Sequence, residues 1–199
     1  MIYELETMCA DYNFDKCKAL ELISNIDVNQ EFVPNECWFK SNLLTRASEY
    51  ANIDMVRLLL ENGACPNQIC DDDTPLWDLQ YPDPEIEGSS ERRLKITQLL
   101  LEYGANPNIQ TECHSEELFP YVLFTVLNDD FDELWKYRSK FLILLLAYGG
   151  KTTGCIPKTL QTFDRSKIIS DYRFYRTPRD SEPFVGVICD NTGEIVAYL

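Results

Sequence analysis

A twelve-residue phrase recurs along the chain: VRLLLENGACPN at 56–67, TQLLLEYGANPN at 97–108 and LILLLAYGGKTT at 142–153. Each copy carries a leucine triplet followed, after two intervening residues, by a glycine: Gly63, Gly104 and Gly149, separated by 41 and 45 residues. A degenerate copy, ALELISNIDVN at 19–29, ends on Asn29, 38 residues before Asn67. Self-similarity at this period is what stacked helical hairpins leave in a sequence. It excludes a single closed core in which every segment is unlike its neighbours.

The chemistry within each copy agrees with a helix and its exit. Leu59 and Leu60 stand three and four residues after Val56, which places all three on one helical stripe, and Leu100 and Leu146 hold the corresponding positions. That stripe has to be buried. The glycine lies where a helix ends in a left-handed turn, a conformation that glycine adopts without steric cost. Asn67 and Asn108 then mark the turn leading out to the next unit.

Two motifs in order carry a family resemblance. The phrase L-L-L-x-x-G-A-x-x-N, preceded by Asn52-Ile53-Asp54-Met55-Val56, resembles the second helix and exit loop of an ankyrin repeat. Thr74-Pro75-Leu76 resembles the T-P-L that opens the first helix of such a repeat, where Thr caps and Pro suits the first helical position. The resemblance implies a mainly α fold, an ankyrin-repeat solenoid of about four stacked helical hairpins over residues 1–150. The units are a degenerate 1–30, then 39–68, 70–109 and 111–150. Trp77 departs from the family pattern by replacing a histidine, and Leu79 by replacing a small alanine. Residues 80–93, with Pro82, Pro84, Gly88, Ser89 and Ser90, read as a loop inserted between two helices. In the last unit Ser115-Glu116-Glu117-Leu118 stands in place of T-P-L, and Pro120 sits in the first turn of a shortened helix.

Beyond Gly150 the pattern stops. PFVGVICDNTGEIVAYL reads as a β-hairpin with strands near 184–189 and 194–198, turning through Asp190-Asn191-Thr192-Gly193. Residues 151–199 are therefore expected to form a non-ankyrin cap that closes the last exposed face of the array, with Val185, Val187 or Ile188 meeting the segment around Phe141–Leu145.

Charge limits the partners. The chain has 33 acidic and 18 basic residues, for a net charge of −15. After Gly150 there are seven Lys/Arg against six Asp/Glu, so the excess belongs to residues 1–150. Direct binding to nucleic acid is disfavoured, because phosphates need Lys and Arg, and a protein with a basic surface is favoured. The longest apolar run, Phe141 to Tyr148, is eight residues, short of the ~20 a membrane helix needs. Glu4 and Glu6 stand where a secretory signal carries positive charge. The expectation is a cytoplasmic, soluble protein, monomeric in isolation, with no membrane partner.

No chemistry stands out. The eight cysteines are scattered without a C-x-x-C pair and there is one histidine, His114, so neither a metal site nor a cofactor is expected. Cys113 and His114 are adjacent in sequence, on an expected exit loop where nothing excludes water, which is a poor arrangement for nucleophile and base. With no phosphate loop, nucleophile elbow or H-E-x-x-H, the chain is not read as an enzyme, and no small-molecule substrate is expected.

The acidic residues read instead as a recognition surface. Residues 71–91 hold Asp71, Asp72, Asp73, Asp78, Asp83, Glu85, Glu87 and Glu91 with no Lys or Arg. Glu112, Glu116 and Glu117 occupy the matching region one unit later. The resemblance implies that hairpin tips and first helices line the gripping face, and Trp77 and Tyr81 are the expected aromatic anchors there. The functional expectation is an acidic inhibitor or immunity-type protein that occludes a basic partner surface, with a general ankyrin adaptor as the alternative.

Overall fold

The computed structural model describes residues 1–35, 37–71, 73–82, 88–111, 118, 121–122, 126 and 133–150, together with three short strands between 173 and 198. The chain divides into two compact units, Met1–Asn106 with Thr111–Cys113 and Pro107–Gln110 with His114–Leu199.

The first unit is helical. Three helix pairs follow in order: α1 (Ile2–Ala10) with α2 (Lys16–Ile23), α3 (Leu43–Glu49) with α4 (Ile53–Glu61), and α5 (Pro75–Asp78) with α6 (Ser89–Glu102). The first helices pack in a row, α1 on α3 and α3 on α5, while α4 packs on α6. The starts of α2, α3, α4 and α5 are each fixed by a short polar side chain that accepts orphan backbone N–H groups. Asp15 accepts from Cys17 and Lys18, Asn42 from Thr45 at 2.8 Å, Asn52 from Met55 at 3.1 Å and Thr74 from Trp77 at 3.2 Å. Pro75 occupies the first turn of α5 as expected. Asn52 also donates from Nδ2 to the carbonyls of Cys9 (3.1 Å) and Asp11 (3.0 Å), so one side chain starts α4 and holds the end of α1.

The repeated leucines fill the interior: Val56, Leu59 and Leu100 are fully buried and Leu60 nearly so. Burying such a side chain contributes about 1.5–3 kcal/mol each. Gly63 and Gly104 take φ of +90°, the left-handed turn expected at the helix exits. The exits are then tied to one another. Asn29 Nδ2 donates to the Gly63 carbonyl at 3.1 Å while its Oδ1 accepts from the Cys65 N–H at 2.7 Å. Asn67 makes the same two bonds, to the Gly104 carbonyl (2.9 Å) and from the Asn106 N–H (2.7 Å).

One expectation is corrected. Residues 80–93 are not a loop throughout: α6 begins at Ser89, after Gly88 in the left-handed region with φ of 70°. Ser-Ser-Glu is turn-like in composition but equally suits a first helical turn, and Ser89 is buried there.

In the second unit α7 (Glu133–Ala147) buries Phe141 through Ala147 continuously, including Leu145 and Leu146. It ends at Gly149 with φ of +99°, whose carbonyl accepts from Asn108 Nδ2 at 3.0 Å. Leu118, Val122 and Val126 are helical and fully buried. Pro120 and residues 115–117 lie outside the described residues. Three strands, β1 (Arg173–Arg176), β2 (Gly186–Cys189) and β3 (Ile195–Tyr198), form an antiparallel sheet in the order β1-β2-β3. Phe174 pairs with Ile188 and Ile188 with Ala197, with an irregularity between Ile188 and Cys189. Sequence reading gave β2 and β3 but no β1, and it is β1 that lies against α7. The expected contacts of Val185, Val187 and Ile188 fall outside the described side chains.

Asn67→Ala removes one donor and one acceptor from the link between successive exits. It is expected to lower the unfolding free energy by about 1–2 kcal/mol in chemical denaturation, with Asn67→Asp, which retains the acceptor, falling between it and the parent.

Candidate functional site

Two loops bring the candidate surface together. The first connects α2 to α3 and is closed by paired backbone hydrogen bonds between Phe32 and Ser41, 2.9 and 2.8 Å. It presents Trp38, 99% exposed, and Phe39, 44% exposed. The second is a tight tip closed by the Cys70–Asp73 pair, in which Asp71 has φ of 42°, a left-handed conformation that Asp and Asn tolerate better than most residues. The Asp71 carboxylate accepts from the Lys40 N–H and so joins the two tips. Between the tips and the first helices lies a cavity of about 320 Å³ lined by Phe39, Lys40, Ser41, Thr45, Glu49, Asp71, Asp73 and Asp78.

Carboxylates dominate this cavity. Asp78, at the end of α5, is pushed up to about 9 by burial first, then by the negative charges of Asp73 and Glu49 and a hydrogen bond with Asp73, against an opposing pull from Arg93. Like-charged acids held this close cannot all ionise freely. Glu49 is also raised, by burial first, although Arg46 and Arg93 pull it down. Lys40 is turned toward Glu31, 3.5 Å away, with most of its side chain in solvent.

Two arginines frame the site. Arg46 on α3 pairs with Glu49, donates to the Tyr50 hydroxyl at 2.8 Å, lies 5.0 Å from the Tyr50 ring centroid and reaches to 3.9 Å from Glu6. Arg93 on α6 donates to the carbonyls of Glu49 (2.8 Å) and Asp78 (3.3 Å), satisfying backbone at the ends of α3 and α5. Neither was singled out in the sequence. Arg93 meets its partners 44 and 15 residues away, too far for local pattern to reveal.

The sequence-derived site residues divide accordingly. Asp71, Asp73 and Asp78 are brought together. Tyr81 is 47% exposed. Trp77 is corrected: it is only 2% exposed and belongs to the core, because α5 turns Pro75, Leu76 and Trp77 inward together. The exposed aromatics near the acidic tip are Trp38 and Phe39 instead. Asp72, Asp83, Glu85, Glu87, Glu112, Glu116 and Glu117 lie outside the described residues, as do Cys113 and His114. Among the described residues no group of three His, Cys, Asp or Glu side chains is placed to hold a metal ion. Among them, too, Cys9, Cys17, Cys37, Cys65 and Cys70 are free thiols, and no helix is long and apolar enough to cross a membrane.

Comparison with known families identifies one segment of this framework. Residues 41–72, from the start of α3 through the acidic tip, match the ankyrin repeat. This segment is similar to an ankyrin repeat. The resemblance read from Asn52–Asn67 is thereby shown at the unit that carries that phrase, and ankyrin repeats are protein-binding modules. Comparison with curated proteins found no match.

The acidic cluster predicts a pH signature. With the folded-state pKa of Asp78 above its unfolded value, the native state binds the extra proton between them, so stability falls as pH rises from about 4 toward the folded value. Glu49 acts in the same direction. Asp78→Asn is expected to flatten this decline and raise the unfolding free energy at pH 8 by about 1–3 kcal/mol, the scale of burying a polar group without full compensation. Denaturation curves at pH 5 and pH 8 measure it.

Proposed function

We propose that the chain is an ankyrin-type solenoid of four hairpin units that holds a protein with a basic surface, using the acidic tip and first helices of the second and third units as the gripping face. The observation that carries this reading is the convergence of Glu49, Asp71, Asp73 and Asp78 around one open cavity. Exposed aromatics stand beside it at Trp38 and Phe39. Charge of one sign around a concavity steers an oppositely charged partner and raises its association rate, while exposed aromatics supply slow dissociation. An inhibitor or immunity-type role suits this arrangement, since a focused negative surface can occlude a basic active surface by imitating the charge of its substrate. A general adaptor would bind through the same face without blocking activity.

The immobilised chain and its Asp71→Lys/Asp73→Lys variant are to be used for affinity capture, and the captured protein purified and studied with both. The expectation is an association rate lowered by roughly tenfold at low salt in the variant, with a shallower salt dependence. Trp38→Ala is expected to speed dissociation instead. Equal rates for parent and charge variant at low salt would remove the docking assignment. An adaptor role follows if the partner's own activity is unchanged in the complex.

We further read residues 151–199 as a cap, supported by the lie of β1 against α7. Deleting them is expected to lower the melting temperature and cause aggregation, measured by calorimetry and light scattering. A deletion variant as soluble and stable as the parent would make the segment a separate binding module.

A further inference from the structure

The acidic cavity contains more than negative charge. Thr45, in the first turn of α3, lines it with a side chain only 4% exposed, and its Oγ1 has no hydrogen-bond partner. A buried hydroxyl left without a partner is uncommon, because removing it from water costs free energy that a hydrogen bond normally returns. The lining acids are also unusual in their surroundings: Asp78 faces Asp73 and Glu49, and the pull of Arg93 offsets that crowding only in part. Arg46 serves Glu49 and Tyr50, Arg93 serves two backbone carbonyls, and Lys40 is drawn to Glu31. The rim adds Phe39, partly exposed.

We propose that this cavity is a receptacle for one arginine side chain of the partner, whose guanidinium is met by Asp73, Asp78 and the Thr45 hydroxyl while its stem lies along Phe39. This inference rests on the docking assignment above and specifies its anchor. Acceptors distributed around a cavity match a planar fork of five donors better than the compact ammonium of lysine, and a guanidinium also lies well against an aromatic ring. The charge logic is complementary. Asp78 is held toward its neutral form by burial and by its acidic neighbours, and an entering cation relieves that repulsion.

The test uses the isotopically labelled full chain and three small probes: N-acetyl-arginine methylamide, the lysine analogue, and the citrulline analogue, which keeps the shape but not the charge. The arginine probe is expected to shift the backbone amide resonances of Ser41, Thr45, Asp73 and Asp78 saturably, with a dissociation constant on the order of millimolar, as suits one small contact group. Lysine and citrulline probes are each expected to bind several-fold more weakly. Thr45→Val loses only the hydroxyl and should weaken the arginine probe several-fold while leaving the melting temperature unchanged or higher. Asp78→Asn should weaken it with the fold intact.

Non-saturating shifts spread over acidic residues elsewhere, or equal binding of arginine and citrulline probes, would overturn the proposal, as would a lysine probe that binds as tightly as arginine. The two readings fail separately. If the arginine probe misses the cavity while Asp71→Lys/Asp73→Lys still slows the captured partner, docking stands and the arginine receptacle falls. If the probe saturates the cavity and the captured partner ignores the charge variant, the arginine site stands and the docking assignment falls.

Discussion

The asparagine that follows each helix exit is the interaction on which the arrangement depends. Asn29, Asn67 and Asn108 each donate to the carbonyl of a left-handed glycine one unit further on, Gly63, Gly104 and Gly149. In the first two cases the same side chain also accepts from a backbone N–H just beyond that glycine. Apolar burial supplies most of the stabilisation, but leucine stripes alone are tolerant of sliding and rotation. An amide that must meet a donor and an acceptor at once is not. The glycine matters because its positive φ points the carbonyl toward the preceding exit, and a side chain there would strain the turn.

With the exits fixed, the hairpin tips that follow them are free to carry chemistry. The tips Phe32–Ser41 and Cys70–Asp73 are closed by backbone hydrogen bonds, and the Asp71 carboxylate joins one to the other through the Lys40 N–H. Acidic and aromatic residues accumulate there without loss to the core. The charges underneath are treated differently. Arg46 and Arg93 are nearly buried and make two hydrogen bonds each, so they act as fastenings beneath the acidic cavity.

Much of this was legible because it is local. Leucine spacing, the exit glycines and Thr74-Pro75 each express a rule that operates within one helical turn, and the structure follows them at Leu59, Leu100, Gly63, Gly104 and the start of α5. The family match at residues 41–72 covers the Asn52–Asn67 phrase from which the resemblance was read. What local reading missed depends on distant partners. Trp77 stands among acids in sequence, yet the direction of α5 buries it. Ser89 and Ser90 look like a loop, but packing makes them the first turn of α6. β1 has arginines at both ends, which hide an apolar pair that earns its place only beside β2. The raised pKa of Asp78 is likewise a property of enclosure, invisible in a list of carboxylates.

The asparagine-to-glycine bonds span 34, 37 and 41 residues in turn, while their lengths stay between 2.9 and 3.1 Å. The covalent path between anchor points lengthens and the anchors do not move apart. Such a scaffold separates bookkeeping of length from bookkeeping of shape: residues can be gained or lost between the helices of a unit without shifting its neighbours. Sequence of this kind, the stretch between α5 and α6 in this chain, is where a lineage can gain or lose residues most freely, because each change is absorbed inside a single unit.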